Sequence, residues 1–422
     1  MIIHVNMHNP IRSRLVLWVC LLVTAMAAYG AEHSSPEVYS ETDLLNIDAI
    51  LDQTLTHTDI PGIVIGMTSG TETLYIRSAG LRRLDQPDPL EPSDVIHIGS
   101  CGKAMTATLA AVMVEAGLLG WDDVPEGYVE RSTSRRPPPP SVTLHRLLTH
   151  QADIEPMGSL PDFDMIPPLE GDVMVQRAAL TQWLLPRTKP EYEYSNAGYS
   201  IAASMLESAL GDPWEILMID FLFEPLGMTG FYGWPGLIDA NQPWGHWLLE
   251  IDGPLVPQDP FGDYHLPLLI APAGDVSMTM ADYLAFLREH LRGLRGESEY
   301  LSQETFTFLH TPNGKVGGSD YACGWIILPN AIDGTTIHMH NGSGGTFFIL
   351  MLMAPEADFA VAVCINAATL PLMEAVNELT IELVTRHLAK IRPVEPGGGR
   401  TRSSFNSRRS LLSAGAVHLY AK

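Results

Sequence analysis

Ser100-Cys101-Gly102-Lys103 opens an apolar stretch, Ala104–Ala116, with helical spacing and Gly117 just past its end as a terminator. Serine and lysine three residues apart on a helix share one face and can reach each other. A serine hydroxyl becomes a useful nucleophile only when a neighbouring base takes its proton. A lysine can be that base where burial or nearby positive charge keeps it neutral part of the time. The helix start adds a favourable field and a free backbone N–H beside the serine. The chain has five lysines, and Lys103 alone has a serine three positions before it. Read alone, the pattern leaves an ordinary surface-helix lysine open.

Upstream, Leu44, Ile47, Ile50 and Leu51 give helical spacing over Asp43–Leu55. Strand-like runs follow at Gly62–Met67 and Thr73–Ser78, separated by Ser69-Gly70 turn chemistry. Downstream, four consecutive prolines make 132–141 an extended surface loop, and helical patterns recur at 172–185, 197–210 and 213–223. The Pro-, Gly- and Trp-rich stretch 231–272 reads as a long structured loop, in which Trp244 and Trp247 either pack the loop itself or wall a pocket. Helix returns at Met280–Leu294. Four strand-like runs then precede a last helix over Met373–Lys390: Ala322–Leu328, Thr335–His340, Phe347–Met353 and Phe359–Ile365.

This order predicts an α/β (α+β) chain in which one antiparallel sheet, flanked by helices, is assembled from both chain ends. Residues 31–118 and 300–394 would form the split sheet domain, and 119–299 an inserted, mainly helical region. The site should lie in the groove between them.

Of the 422 residues, 25 are Lys or Arg and 49 are Asp or Glu, a net charge of −24. Residues 1–31 and 396–422 hold seven of the basic residues and no acidic one, so 32–395 carries a net of −31. Such a body repels phosphates, which argues against nucleic acid as a partner. The N-terminus, with Arg14 before an apolar run from Leu15 to Ala28, reads as a signal peptide over 1–30. An uncleaved membrane anchor is the alternative, and only it would bring a membrane partner. The Gly- and Arg-rich 395–422 reads as a disordered basic tail. Beyond the leader, Cys101, Cys323 and Cys364 allow at most one disulfide. No metal-binding spacing occurs, so neither metal nor cofactor is expected.

Two further motifs carry chemistry. Tyr194-Ser195-Asn196 precedes a predicted helix; a Tyr194 hydroxyl near Lys103 could relay a proton, and Asn196 could hold Lys103 and donate its amide to a substrate carbonyl. His340-Asn341-Gly342 ends a predicted strand and runs into Ser343-Gly344-Gly345. A glycine-rich edge allows close approach of a substrate, and a backbone N–H there could complete an oxyanion hole with that of Ser100.

In this order and context the three motifs resemble those of the serine β-lactamase and penicillin-binding-protein-like superfamily. The resemblance is nearest to the class C β-lactamase-related group, which also includes D-aminopeptidases and esterases. It spans Leu44–Leu388 and includes Thr143-Leu144-His145-Arg146-Leu147-Leu148-Thr149-His150, Phe223-Glu224-Pro225-Leu226-Gly227-Met228 and Ala271-Pro272-Ala273-Gly274-Asp275-Val276-Ser277. The resemblance implies a β-lactamase/transpeptidase-like fold. Ser100 would be the acyl-forming nucleophile, Lys103 its proton acceptor or electrostatic partner, and Tyr194 the general base and acid. Asn196, His340, Gly342 and Ser343 would bind substrate, with Ser343 supplying the second oxyanion N–H. His150 would be structural and Cys101 a buried small residue. One departure matters: His340 stands where β-lactamases carry the lysine of Lys-Thr-Gly, and a neutral histidine offers a substrate carboxylate no permanent cation.

The expectation is a secreted or periplasmic serine hydrolase acting on a small-molecule ester, amide or peptide, of esterase or D-amino-acid peptidase type. A true β-lactamase or D-Ala-D-Ala carboxypeptidase is one alternative. A penicillin-type sensor, acylated without turnover, is the other.

Overall fold

A computed structural model describes residues 39–125, 142–158, 160–185, 193–250 and 253–391. The expected leader, the proline loop over 132–141 and the basic tail lie outside the described residues.

Ser40 caps the first helix, α1 (Glu41–Thr56), in a reciprocal box with Asp43. The hairpin β1 (Gly62–Thr68) and β2 (Thr73–Gly80) follows, then the short β3 (Val95–His97). A 3-10 turn over Gly99–Cys101 leads into α2 (Gly102–Glu115). The inserted stretch supplies α3 (Leu144–Leu148), α4 (Leu160–Phe163), α5 (Val173–Leu184), α6 (Asn196–Leu210) and α7 (Trp214–Met218). Three short strands come next, β4 (Gly230–Tyr232), β5 (His246–Leu248) and β6 (Leu255–Pro257), before a 3-10 segment over Leu268–Ala273. Then come β7 (Val276–Thr279), α8 (Met280–Leu294), α9 (Gln303–Leu309), β8 (Gly314–Val316) and β9 (Ser319–Tyr321). The chain closes with β10 (Ile326–Ile332), β11 (Thr335–Ser343), β12 (Phe348–Ala354), β13 (Phe359–Ile365) and α10 (Leu370–Ile391).

Eight strands form one antiparallel sheet in the order β2-β1-β13-β12-β11-β10-β9-β8. The chain ends meet where β1 pairs with β13, Ile63 opposite Ile365. β1, β12 and β13 are buried at every residue, which explains continuous apolar runs in place of alternation: both sheet faces are covered. Ile63, Ile65, Leu350 and Val363 face α1 and α10, whereas Val64, Met351 and the small Ala360 and Ala362 face the core that holds α2 and α8.

Two readings need correction. Residues 231–272 contain three short strands and 3-10 turns, and are not wholly irregular. Helix α8, inside the stretch assigned to the helical insertion, packs on the sheet at β1 and β13, with Met280 and Leu284 against Gly66. Strand β7 likewise ties β3 to β4 in a second sheet.

Candidate active site

Helix α2 is buried at every residue from Gly102 to Met113, because Ala, Met, Thr, Leu and Val make it apolar all round. Lys103 lies in that stretch and is fully buried, 0% exposed, while Ser100 in the preceding turn keeps 7%. Lys103 Nζ makes three contacts: Ala273 O at 2.7 Å, Asn196 Oδ1 at 2.8 Å and Ser100 Oγ at 3.1 Å. Burial holds the amine well below the ordinary lysine range, with the Cys101 thiol only partly opposing. A neutral amine has two N–H bonds and one lone pair. The carbonyl oxygens of Ala273 and Asn196 can only accept, so they take the two N–H bonds. The lone pair is left for the hydroxyl proton of Ser100, the longest of the three contacts.

Tyr194 and Tyr199 wall this amine, their ring centroids 4.6 and 5.4 Å from Nζ. Burial raises the Tyr194 phenol above its ordinary value, with the Ser100 hydroxyl pulling the other way, so the group stays protonated. Its Oη is buried beside the Ser100 hydroxyl and makes no firm hydrogen bond among the described residues. An unpaired buried hydroxyl costs about 1–3 kcal/mol, which an arriving acceptor atom would relieve. Tyr194 is thereby suited to donate a proton, while Lys103 is better suited to be the first base.

Asn196 begins α6 and is held by both ends of its amide: Oδ1 faces Lys103 and Nδ2 donates to Met157 O at 2.9 Å. The expected donation to a substrate is therefore partly replaced by a main-chain contact. His150, read as structural, touches the site. Its ring lies 4.5 Å from that of Tyr194, and its Nδ1 accepts from the Ser195 N–H at 3.0 Å.

His340 is the clearest correction. It is 2% exposed; Nδ1 donates to Asn341 O at 2.5 Å, which leaves Nε2 to accept from Tyr321 Oη at 3.2 Å. Burial, aided by Lys103, lowers its pKa to about 3. The ring is a neutral support behind the tyrosines, not a group at the mouth. Gly342, two residues on, lies at the junction with the nucleophile turn: a Cβ there would sit 2.0 Å from Ile98 O and 2.8 Å from Ser100 N. Across the same contact, a Cβ on Gly99 (φ +49°) would sit 2.3 Å from Ser343 N. The backbone nitrogens of Ser100 and Ser343 thus both lie at the Gly99–Gly342 contact, the pair of donors an oxyanion hole needs. Ser343 Oγ donates to Phe347 O at 2.6 Å and accepts from the Gly345 N–H at 3.0 Å, fixing the turn.

Sequence reasoning missed several neighbours. Ala273 acts through a main-chain carbonyl. His97, buried in β3, meets Asp275 Oδ1 through Nε2 at 3.1 Å, although the two are far apart in sequence. The expected Trp244 packs under Arg83, whose Cζ is 3.5 Å from its ring, while Trp247 packs on Tyr264 at 5.1 Å. Tyr264 Oη donates to Gly344 O at 2.7 Å, which brings Tyr264, with Trp247 against it, to the glycine-rich turn after β11. Cys101 is buried, its thiol pushed up to about 12, and is no second nucleophile. Among the described residues no group of His, Cys, Asp or Glu is placed to hold a metal ion.

The beta-lactamase family model matches residues 47–385. The chain belongs to the beta-lactamase family. The family is one of serine hydrolases. The chain is 27% identical over 331 residues to penicillin-binding protein 4 of Amycolatopsis lactamdurans, covering 72% of this chain and 81% of that protein. It is 25% identical over 251 residues to PbpX of Bacillus subtilis, covering 57% of this chain but only 55% of PbpX. Among solved structures, the octameric penicillin-binding protein homologue from Pyrococcus abyssi superposes with a TM-score of 0.67 at 25% identity, covering 82% of this chain and 78% of that one. The β-lactamase/transpeptidase fold follows.

In this family member, Gly342→Ala should lower hydrolytic turnover about 100-fold, since misplacement of about 1 Å at a reacting centre costs that much. Backbone atoms of Ile98 and Ser100 surround the site of the new methyl, so β11 itself must move. Steady-state kinetics beside a melting curve would check it; wild-type kcat would show that the strand can shift freely.

Proposed function

We propose that this chain is an exported serine hydrolase that cleaves neutral esters or amides through an acyl-enzyme on Ser100. The supporting observation is the buried Lys103 amine, its pKa lowered by burial, lying 3.1 Å from Ser100 Oγ while Asn196 Oδ1 and Ala273 O accept from it; in its neutral form its lone pair faces the Ser100 hydroxyl. In this reading the Ser100 proton passes to Lys103 Nζ as Oγ bonds the substrate carbonyl carbon. The tetrahedral oxyanion is held by the N–H groups of Ser100 and Ser343. Tyr194 donates its proton to the departing alcohol or amine and is reprotonated from Lys103. Water then attacks the acyl carbon, its proton taken by the same pair; the C–Oγ bond breaks, that proton passes to Ser100 Oγ, and the acid leaves. Export rests on the Leu15–Ala28 run behind Arg14.

His340 decides between substrates. A β-lactam or a D-Ala-D-Ala terminus carries a carboxylate, and this buried neutral ring cannot neutralise it. An acyl group without a carboxylate pays no such penalty. With purified protein, p-nitrophenyl acetate should turn over continuously, at a kcat/KM at least about 100-fold above that for nitrocefin, equivalent to some 2.7 kcal/mol of transition-state stabilisation. Comparable, sustained nitrocefin turnover would make it a β-lactamase. One equivalent of product followed by silence would make it a penicillin-type sensor.

A further inference from the structure

The 3-10 segment over Leu268–Ala273 is gripped by side chains along its length. Arg177 Nη2 donates to Leu268 O at 3.2 Å, Ser200 Oγ to Leu269 O at 2.8 Å, Thr106 Oγ1 to Pro272 O at 2.7 Å and Lys103 Nζ to Ala273 O at 2.7 Å. Pro272 has no N–H of its own, and Gly274 (φ +149°) turns the chain away immediately afterwards. Thr106 and Ser200 are fully buried, 0% exposed.

The donors are paired by helix. Lys103 and Thr106 are three apart on α2 and take adjacent carbonyls, those of Ala273 and Pro272. Asn196 and Ser200 are four apart on α6; one holds Lys103 and the other holds Leu269 O. Both helices that position the amine therefore also hold the segment carrying its third partner.

We infer that Thr106 is a positioning residue for proton transfer from Ser100, acting through the Pro272–Ala273 peptide, with Ser200 as its counterpart on α6. The inference rests on the acyl-enzyme reading and deepens it. If Ala273 O drifts, one N–H of Lys103 loses its acceptor, the amine can rotate, and the lone pair no longer stays on Ser100 Oγ. A carbonyl acceptor also favours the ammonium form over the amine. Its loss therefore moves protonation of Lys103 to lower pH.

The test is burst kinetics with p-nitrophenyl acetate from acid to alkaline pH on the full chain. Thr106→Val keeps the shape and removes the donor; Thr106→Ser restores it. Thr106→Val should acylate at least ten-fold more slowly with the substrate dissociation constant of the acylation step unchanged, and its acid limb should lie at lower pH than in wild type. Thr106→Ser should recover both. A packing role alone would lower the melting temperature without moving the limb. Should Thr106→Val not fold, Ser200→Ala reads the same brace from the other helix, with the same expected signature. A wild-type acylation rate and limb in the valine variant, beside an inactive Ser100→Ala, would overturn this inference alone. Turnover retained by Ser100→Ala would overturn the acyl-enzyme reading and this inference together.

Discussion

Ser100→Ala should reduce ester turnover by on the order of 10⁴-fold or more and abolish covalent labelling. The expectation follows from what the residue does and does not touch. Ser100 Oγ meets Lys103 Nζ at 3.1 Å, whereas the amine keeps its firmer contacts with Ala273 O and Asn196 Oδ1. Removing the hydroxyl takes away the atom that forms the acyl bond and leaves the buried lysine still held. The fold should persist, with a stability change within about 1 kcal/mol, the net worth of one hydrogen bond. Residual activity would come from the oxyanion donors and substrate binding, which outlast the nucleophile in serine hydrolases generally. Steady-state kinetics with a melting curve would separate loss of chemistry from loss of fold. An alanine variant with intact turnover would move the nucleophile elsewhere.

Lys103→Met should be nearly as severe. Methionine fills the space of the lysine stem in a fully buried position, so packing is conserved while the amine is lost. Removing a positioned general base costs about 10²–10⁴-fold, and the buried carbonyls of Ala273 and Asn196 also lose their donor. Each orphaned acceptor costs about 1–3 kcal/mol, so the melting temperature should fall as well. The pH profile distinguishes base from bystander. In wild type, falling pH protonates Nζ, the lone pair becomes a third N–H, and Ser100 loses its acceptor. Activity therefore falls on the acid side, with a midpoint below the ordinary lysine range because burial depresses this amine. The methionine variant should have low activity and lack that limb. A limb unchanged in the variant would assign it to another group.

The chemistry that was legible in the sequence is local. Ser100 and Lys103 share a helix face, so their spacing reports their contact directly; the side-chain-capped α1 and α8 and the continuously apolar α2 are equally visible. His340 was misread for a spatial reason. It shares a strand with Gly342 and looks like part of the same edge, but its ring is buried and Tyr321, at the end of β9, takes its Nε2. Strands β8 and β9 are three residues each, too short for any alternation to register. The same limit hid β3, β4 and β7. Ala273 was illegible in principle, because a main-chain carbonyl is common to all residues and its place depends on donors from three helices. His97 and Asp275 meet only because β3 pairs with β7.

Of the two tryptophans expected as pocket walls, Trp244 packs under Arg83 and Trp247 packs on Tyr264, whose hydroxyl donates to Gly344 O; Tyr264 carries no sequence signal that would single it out.

The most direct test of the central claim is the intact mass of the protein, quenched in acid during turnover of p-nitrophenyl acetate, followed by peptide mapping. The account predicts a single acetyl adduct on Ser100, formed as the amine of Lys103 is deprotonated and absent from Ser100→Ala. An unmodified protein during full turnover, or an adduct on any other residue, would contradict it.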